Sequence, residues 1–74
     1  MKELKTLQLV SVVPLHFCGV TTEDEDVDIF VRDDQFSFLV YKDGETVISL
    51  TRRLFERDKP LTLDKIRGWA VGLI

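Results

Sequence analysis

The sequence predicts an α+β fold, a small antiparallel sheet of about four strands with one C-terminal helix packed on one face. Three observations predict it. Apolar residues alternate with period two through most of the chain, Asp-Asp and Asp-Gly pairs interrupt that alternation at 33–34 and 43–44, and the spacing turns helical after Pro60.

Leu7, Leu9, Val13, Leu15 and Phe17 share one phase, with Val10 and Val12 on the other, so Leu4 to Val13 reads as a strand that Pro14 terminates. A lysine-bearing start ahead of an apolar run has the outline of a secretion signal. Glu3, Gln8, Pro14 and His16 break that outline, and Phe17 stands where processing needs a small residue, so a structural strand is the better reading. Three further strands follow, VDIFVR, QFSFLVYK and TVISLT. Asp43-Gly44 predicts a type I′ hairpin, because Gly accepts the positive φ that this turn requires. Asp33-Asp34 is the weaker signal of the same kind, since Asp tolerates that conformation better than most residues.

Beyond Thr51, RRLFERDKP reads as a short helical turn or a basic connection that Pro60 ends. TLDKIRGWAVGLI then reads as a helix. Thr62 can cap it, Asp64 in its first turn suits the helix dipole, and Ile66, Trp69, Ala70 and Leu73 form one apolar stripe. Gly68 and Gly72 weaken the helix by roughly 1 kcal/mol each relative to Ala, and packing against the sheet is the expected reason for them. A final strand over 69–74 is the alternative.

At 74 residues the chain is expected to be a single domain over 1–74 with a small core and a net stability of about 4–10 kcal/mol. Its only cysteine, Cys18, allows no intrachain disulfide, which points to a reducing, cytoplasmic setting. No run reaches the roughly 18 apolar residues of a membrane span, so no membrane association is expected.

The net charge of −3 conceals a polarity along the chain: residues 1–22 sum to +1, residues 23–45 to −7 and residues 46–74 to +3. Five carboxylates crowd the six positions from Glu23 to Asp28. As a calcium loop beginning at Asp24 the stretch fails, because Ile29 stands where glycine is needed, Arg32 at a ligand position and Gln35 in place of the closing carboxylate. His16 and Cys18 are two apart and would face the same way on a strand, as half of a zinc site, but no second His or Cys exists to complete it. No metal and no cofactor are therefore expected. With one histidine and no glycine-rich phosphate loop, the chain also lacks the material of an enzyme, and no catalytic residue is assigned.

Two-residue hairpin loops would set Val27, Ile29, Val31, Phe36, Phe38, Val40 and Val47 on one face and Asp26, Asp28, Phe30, Arg32, Leu39, Tyr41, Ile48 and Leu50 on the other. The second face is apolar in its middle and acidic at one side, and one helix cannot cover both faces. A protein-binding module or small inhibitor is the function this implies. Phe30, Leu39, Tyr41, Ile48 and Leu50 would supply apolar contact, while Asp24, Asp26, Asp28, Asp33 and Asp34 would favour a protein partner with a basic surface. A homodimer is expected. Such a carboxylate array can also imitate a phosphate backbone, as in small acidic inhibitors made by phages and plasmids, although no motif ties this chain to such a family. The alternative is a nucleic-acid-binding accessory protein using Arg52, Arg53, Arg57, Lys59 and Arg67, against which the acidic middle would repel phosphates.

Overall fold

The computed structural model describes residues 2–74. Five strands, rather than about four, run in sequence: β1 (Leu4–Val12), β2 (Leu15–Thr21), β3 (Asp26–Arg32), β4 (Gln35–Lys42) and β5 (Glu45–Arg53). They form one antiparallel meander in the order β1-β2-β3-β4-β5, followed by a single 3₁₀ turn at Glu56–Asp58 and the helix α1 (Leu63–Leu73). The additional strand is β2. Its inward positions are Leu15, Phe17, Gly19 and Thr21, and the last two do not register as apolar, which hides the alternation from a hydrophobic pattern.

Val13-Pro14, Asp33-Asp34 and Asp43-Gly44 close three two-residue hairpins. Asp43 and Gly44 both have positive φ, 53° and 80°, as a type I′ turn requires, and Asp33 has φ 56°. Across β2, β3 and β4 the burial alternates residue by residue, so one face is sealed and the other half-exposed. The sealed face holds Val27, Ile29, Val31, Phe36, Phe38 and Val40, all buried, with Leu4, Leu7 and Phe17 beside them.

Helix α1 covers this face. Thr62 caps it through its side chain, which accepts a hydrogen bond from the Lys65 N–H, and Ile66 and Ala70 enter the core with no exposed surface. Trp69 meets Phe36 edge-on at a centroid distance of 5.6 Å. Each large side chain buried in this way contributes on the order of 1.5–3 kcal/mol, so the helix and the inner face depend on one another for stability. The helix runs through 69–73, which excludes the alternative of a final strand.

The β4–β5 pairing corrects the expected register. Tyr41 pairs with Thr46 but Val40 pairs with Ile48, so an extra residue, Val47, bulges out of β5. From there on the strand faces the opposite way to the two-residue-loop prediction. Ile48 and Leu50 belong to the helix-covered side, while Val47 is exposed and Ser49 and Thr51 join the open face.

Two glycine positions differ in kind. A Cβ on Gly19 would collide with the Thr6 carbonyl of β1, so only glycine lets the edge strand pair this closely. Around Gly68 and Gly72 there is open space, and both are exposed, which overturns the expectation that they pack against the sheet. Gly19→Ala should lower stability by about 1–3 kcal/mol through the forced shift of β1. Gly68→Ala and Gly72→Ala should each raise it by roughly 0.5–1 kcal/mol, by removing backbone freedom from the unfolded chain. Urea denaturation of the three variants checks both signs.

Candidate functional site

The open face of the sheet is assembled row by row from the register. One row reads Gln8, Cys18, Asp28, Leu39 and Ser49, and the next reads His16, Phe30, Ser37 and Thr51. His16, Cys18, Phe30, Leu39 and Tyr41 are half-buried there, although no element among the described residues lies over them. Their partial shielding comes from one another. The His16 ring stacks on Phe30 with centroids 4.2 Å apart and planes 9° from parallel, and its Nε2 lies 2.8 Å from Asp28 Oδ1. A nitrogen of His16, the Cys18 sulfur and an Asp28 oxygen lie within 4.8 Å of one another.

Towards the Val13-Pro14 end, Phe30 and Leu39 line a shallow groove with Pro14, Arg32, Gln35 and Ser37. Around the corner a second depression is lined by Val12, Val13, Pro14, Val31, Arg32 and Asp33. Pro14 and Arg32 line both, so the apolar surface is continuous. At its crest Val12 is 69% and Val13 87% exposed.

The acidic stretch is held as a turn by contacts within its own chain. Thr21, fully buried, organises the turn: its Oγ1 accepts hydrogen bonds from the N–H groups of Glu23 and Glu25 and donates to Glu25 Oε1 at 3.1 Å. Glu25 is only 4% exposed, and Lys2 Nζ closes on it at 2.9 Å and on Glu23 at 3.5 Å. Lys5 pairs with Asp24 at 3.0 Å. Three of the five clustered acids are thus paired with lysines of their own chain, and a fourth, Asp28, with His16.

The expected acidic residues do not form one cluster. Asp24, Asp26, Asp43 and Glu45 lie at one end of the meander, whereas Asp33 and Asp34 occupy the opposite end, where Asp34 faces Arg53 at 3.6 Å. Ile48 and Leu50 leave the open face because of the bulge, so of the expected apolar contact residues Phe30, Leu39 and Tyr41 remain on it, with Val20 beside them. The basic residues are also occupied within the chain. Arg52 reaches Asp58 at 3.7 Å and lies over Trp69, Arg53 and Arg57 lie over Phe55, and Lys59 pairs with Glu56. Arg67 is half-buried on α1, and Lys65 donates to the carbonyls of Asp58 and Pro60.

No protein-family model, curated protein or solved structure matches the chain. The chemistry of its surface is therefore the basis for any functional reading.

What hydrophobic patterning could not supply was the meeting of His16 and Cys18 with Asp28, since that needs the β2–β3 register. The signal present was the two-residue spacing of His16 and Cys18.

Among the described residues, contacts within the chain shift Glu25, Asp58 and Lys2. The hydrogen bond from Lys2 holds the Glu25 carboxyl below its ordinary range against the opposing effect of burial, and Thr21 assists. The Phe55 N–H does the same for Asp58, again against burial, and Glu25 in turn raises Lys2. A carboxyl whose pKa is lowered on folding adds stability that is complete above its unfolded pKa and is lost as the pH falls through the folded one. The raised Lys2 adds stability that is complete below the ordinary lysine range and is lost as the pH climbs through its folded pKa. Urea midpoints should therefore decline on acidification below the ordinary carboxylate range, and Glu25→Gln should flatten both that acid limb and the alkaline one. An unchanged acid slope in the variant would show that the Lys2–Glu25 pair carries no linkage.

Proposed function

We propose that the protein is a non-enzymatic protein-binding module whose contact surface is the open sheet face together with the adjoining Val12–Pro14 turn, and that it self-associates through that surface. The observation that carries this reading is the continuous apolar strip from Val12 and Val13 over Pro14 to Phe30 and Leu39, which no segment among the described residues covers. Contiguous exposed apolar surface of this kind marks interaction sites on small proteins.

A second copy fits the strip for two reasons. Arg32 and Asp33 flank it side by side, so a two-fold arrangement can set each against its opposite in the other copy. The strand edge beside it carries no Asp, Glu, Lys or Arg from Thr6 to Leu15, so charge repulsion does not oppose close approach. A standard interface of roughly 800 Å² per partner would take about a sixth of the accessible surface of 4944 Å².

The acidic end is a secondary element of the same reading. No ion pair among the described residues engages Asp26, Asp43 or Glu45, and these carboxylates would favour a partner with a basic surface and speed its capture. Nucleic-acid binding through Arg52, Arg53, Arg57, Lys59 and Arg67 is the less favoured reading, because four of these five side chains already face acids or aromatic rings of their own chain.

Light scattering at micromolar concentrations should give the mass of a dimer at low and high salt. Val13→Asp and Leu39→Asp should each give a folded monomer, with circular dichroism as the check on folding. A wild-type monomer throughout would overturn self-association, as would dimers unaffected by both substitutions.

A further inference from the structure

The cluster of His16, Cys18 and Asp28 lies on the same open sheet face, beside Phe30 and Leu39, and it has the composition of a metal site. We propose that these three side chains bind a divalent transition metal of the zinc class, leaving a fourth coordination position open to water or to an incoming ligand.

The backbone delivers the donors. The pleat of β2 puts His16 and Cys18 on one side of the sheet, and the β2–β3 register sets Asp28 directly opposite Cys18 and diagonal to His16. Their donor atoms already lie within 4.8 Å of one another. In a tetrahedral zinc site, with Zn–S near 2.3 Å and Zn–N and Zn–O near 2.0–2.2 Å, donors stand roughly 3.3–3.8 Å apart. To reach that geometry the sulfur has to close in by up to about 1.5 Å and the 2.8 Å His16–Asp28 hydrogen bond has to open by about half an ångström, shifts of the size side-chain rotation supplies.

Donor chemistry selects the metal. A thiolate with an imidazole favours zinc, cobalt, nickel and copper over magnesium and calcium, which take oxygen ligands. Binding replaces the thiol proton of Cys18 by the metal and releases that proton to solvent. Two negative ligands balance the dication, so the loaded site is electrically neutral, and a neutral centre suits a surface bordered by Phe30 and Leu39. Stacking on Phe30 already fixes the plane of the imidazole, which lowers the ordering cost of binding. Three protein ligands with one position open is the arrangement of zinc sites that exchange a ligand rather than of closed structural ones.

Cobalt(II) reports each part of this assignment. Added to the reduced, tag-free full chain, it should give tetrahedral d–d bands and a sulfur-to-cobalt charge-transfer band at one metal per chain, and equimolar zinc should abolish both. Cys18→Ser should lose the charge-transfer band while keeping its fold, as checked by its amide NMR spectrum. Asp28→Asn and His16→Gln should weaken binding by at least about tenfold, the loss that even an outer-shell partner causes. Should His16→Gln fail to fold without its Phe30 stack, Asp28→Asn decides alone. Absence of the charge-transfer band in the wild type, its survival in Cys18→Ser, or unchanged affinity in Asp28→Asn would each overturn the proposal. The cobalt spectrum reads binding at the cluster and light scattering of the metal-free chain reads dimerisation, so failure of one proposal is distinguishable from failure of the other.

Discussion

An eleven-residue helix has to seal a five-stranded sheet, and it can seal only one face. The division of the sheet into a sealed face and an open one follows from that limit. The covered face concentrates the fully buried side chains, Phe36, Phe38, Ile29, Val27 and Val40, against Ile66 of the helix. At β5 the helix no longer provides full cover, and there Val47 and Leu50 remain exposed. What the helix cannot reach has to be stabilised within the plane of the sheet, through the stack of His16 on Phe30 and the contact of His16 with Asp28. The chemistry of the open face is thus the remainder left by the packing of the other.

Charge is distributed by the same economy of contacts. A run of acids ahead of β3 is a dense charge cluster when counted along the chain, and in the fold it is a turn held by Thr21 in which Lys2 and Lys5 offset part of the charge. The basic third behaves likewise, with Arg52 spread over Trp69 and Asp58 rather than projecting to solvent. One Arg52 nitrogen, Nη1, is buried without a hydrogen-bond partner among the described residues. The exposed pairs, Lys5–Asp24 and Arg53–Asp34, contribute little individually to stability. The apolar strip from Val12 to Leu39 is therefore a stronger candidate for contact than either charged region.

Much of the fold was legible in the sequence because local chemistry determined it. The helix followed from Thr62 and the Ile66–Leu73 stripe, the β4–β5 turn from Asp43-Gly44, and the inner faces of β3 and β4 from strict alternation. Three features were hidden, each for a physical reason. Strand β2 carries Gly19 and Thr21 inward, one for clearance against β1 and one to bind the turn, so polarity did not report its faces. The bulge at Val47 reverses β5, and no residue type announces a bulge. Of the candidate site, Phe30, Leu39 and Tyr41 were legible on the open face, whereas the meeting of Asp28 with His16 and Cys18 depends on long-range pairing that local patterning does not encode.

The most direct test of this account is to determine which face of the sheet lies under the helix, by nuclear Overhauser contacts from the Ile66 and Leu73 methyl groups. The account predicts contacts from these methyls to the inner-face residues of the sheet, Val27, Ile29, Phe36 and Phe38 among them, with a separate contact between the His16 and Phe30 rings. Contacts from the helix methyls to Phe30, Leu39 or Tyr41 would place α1 on the other face and contradict the account.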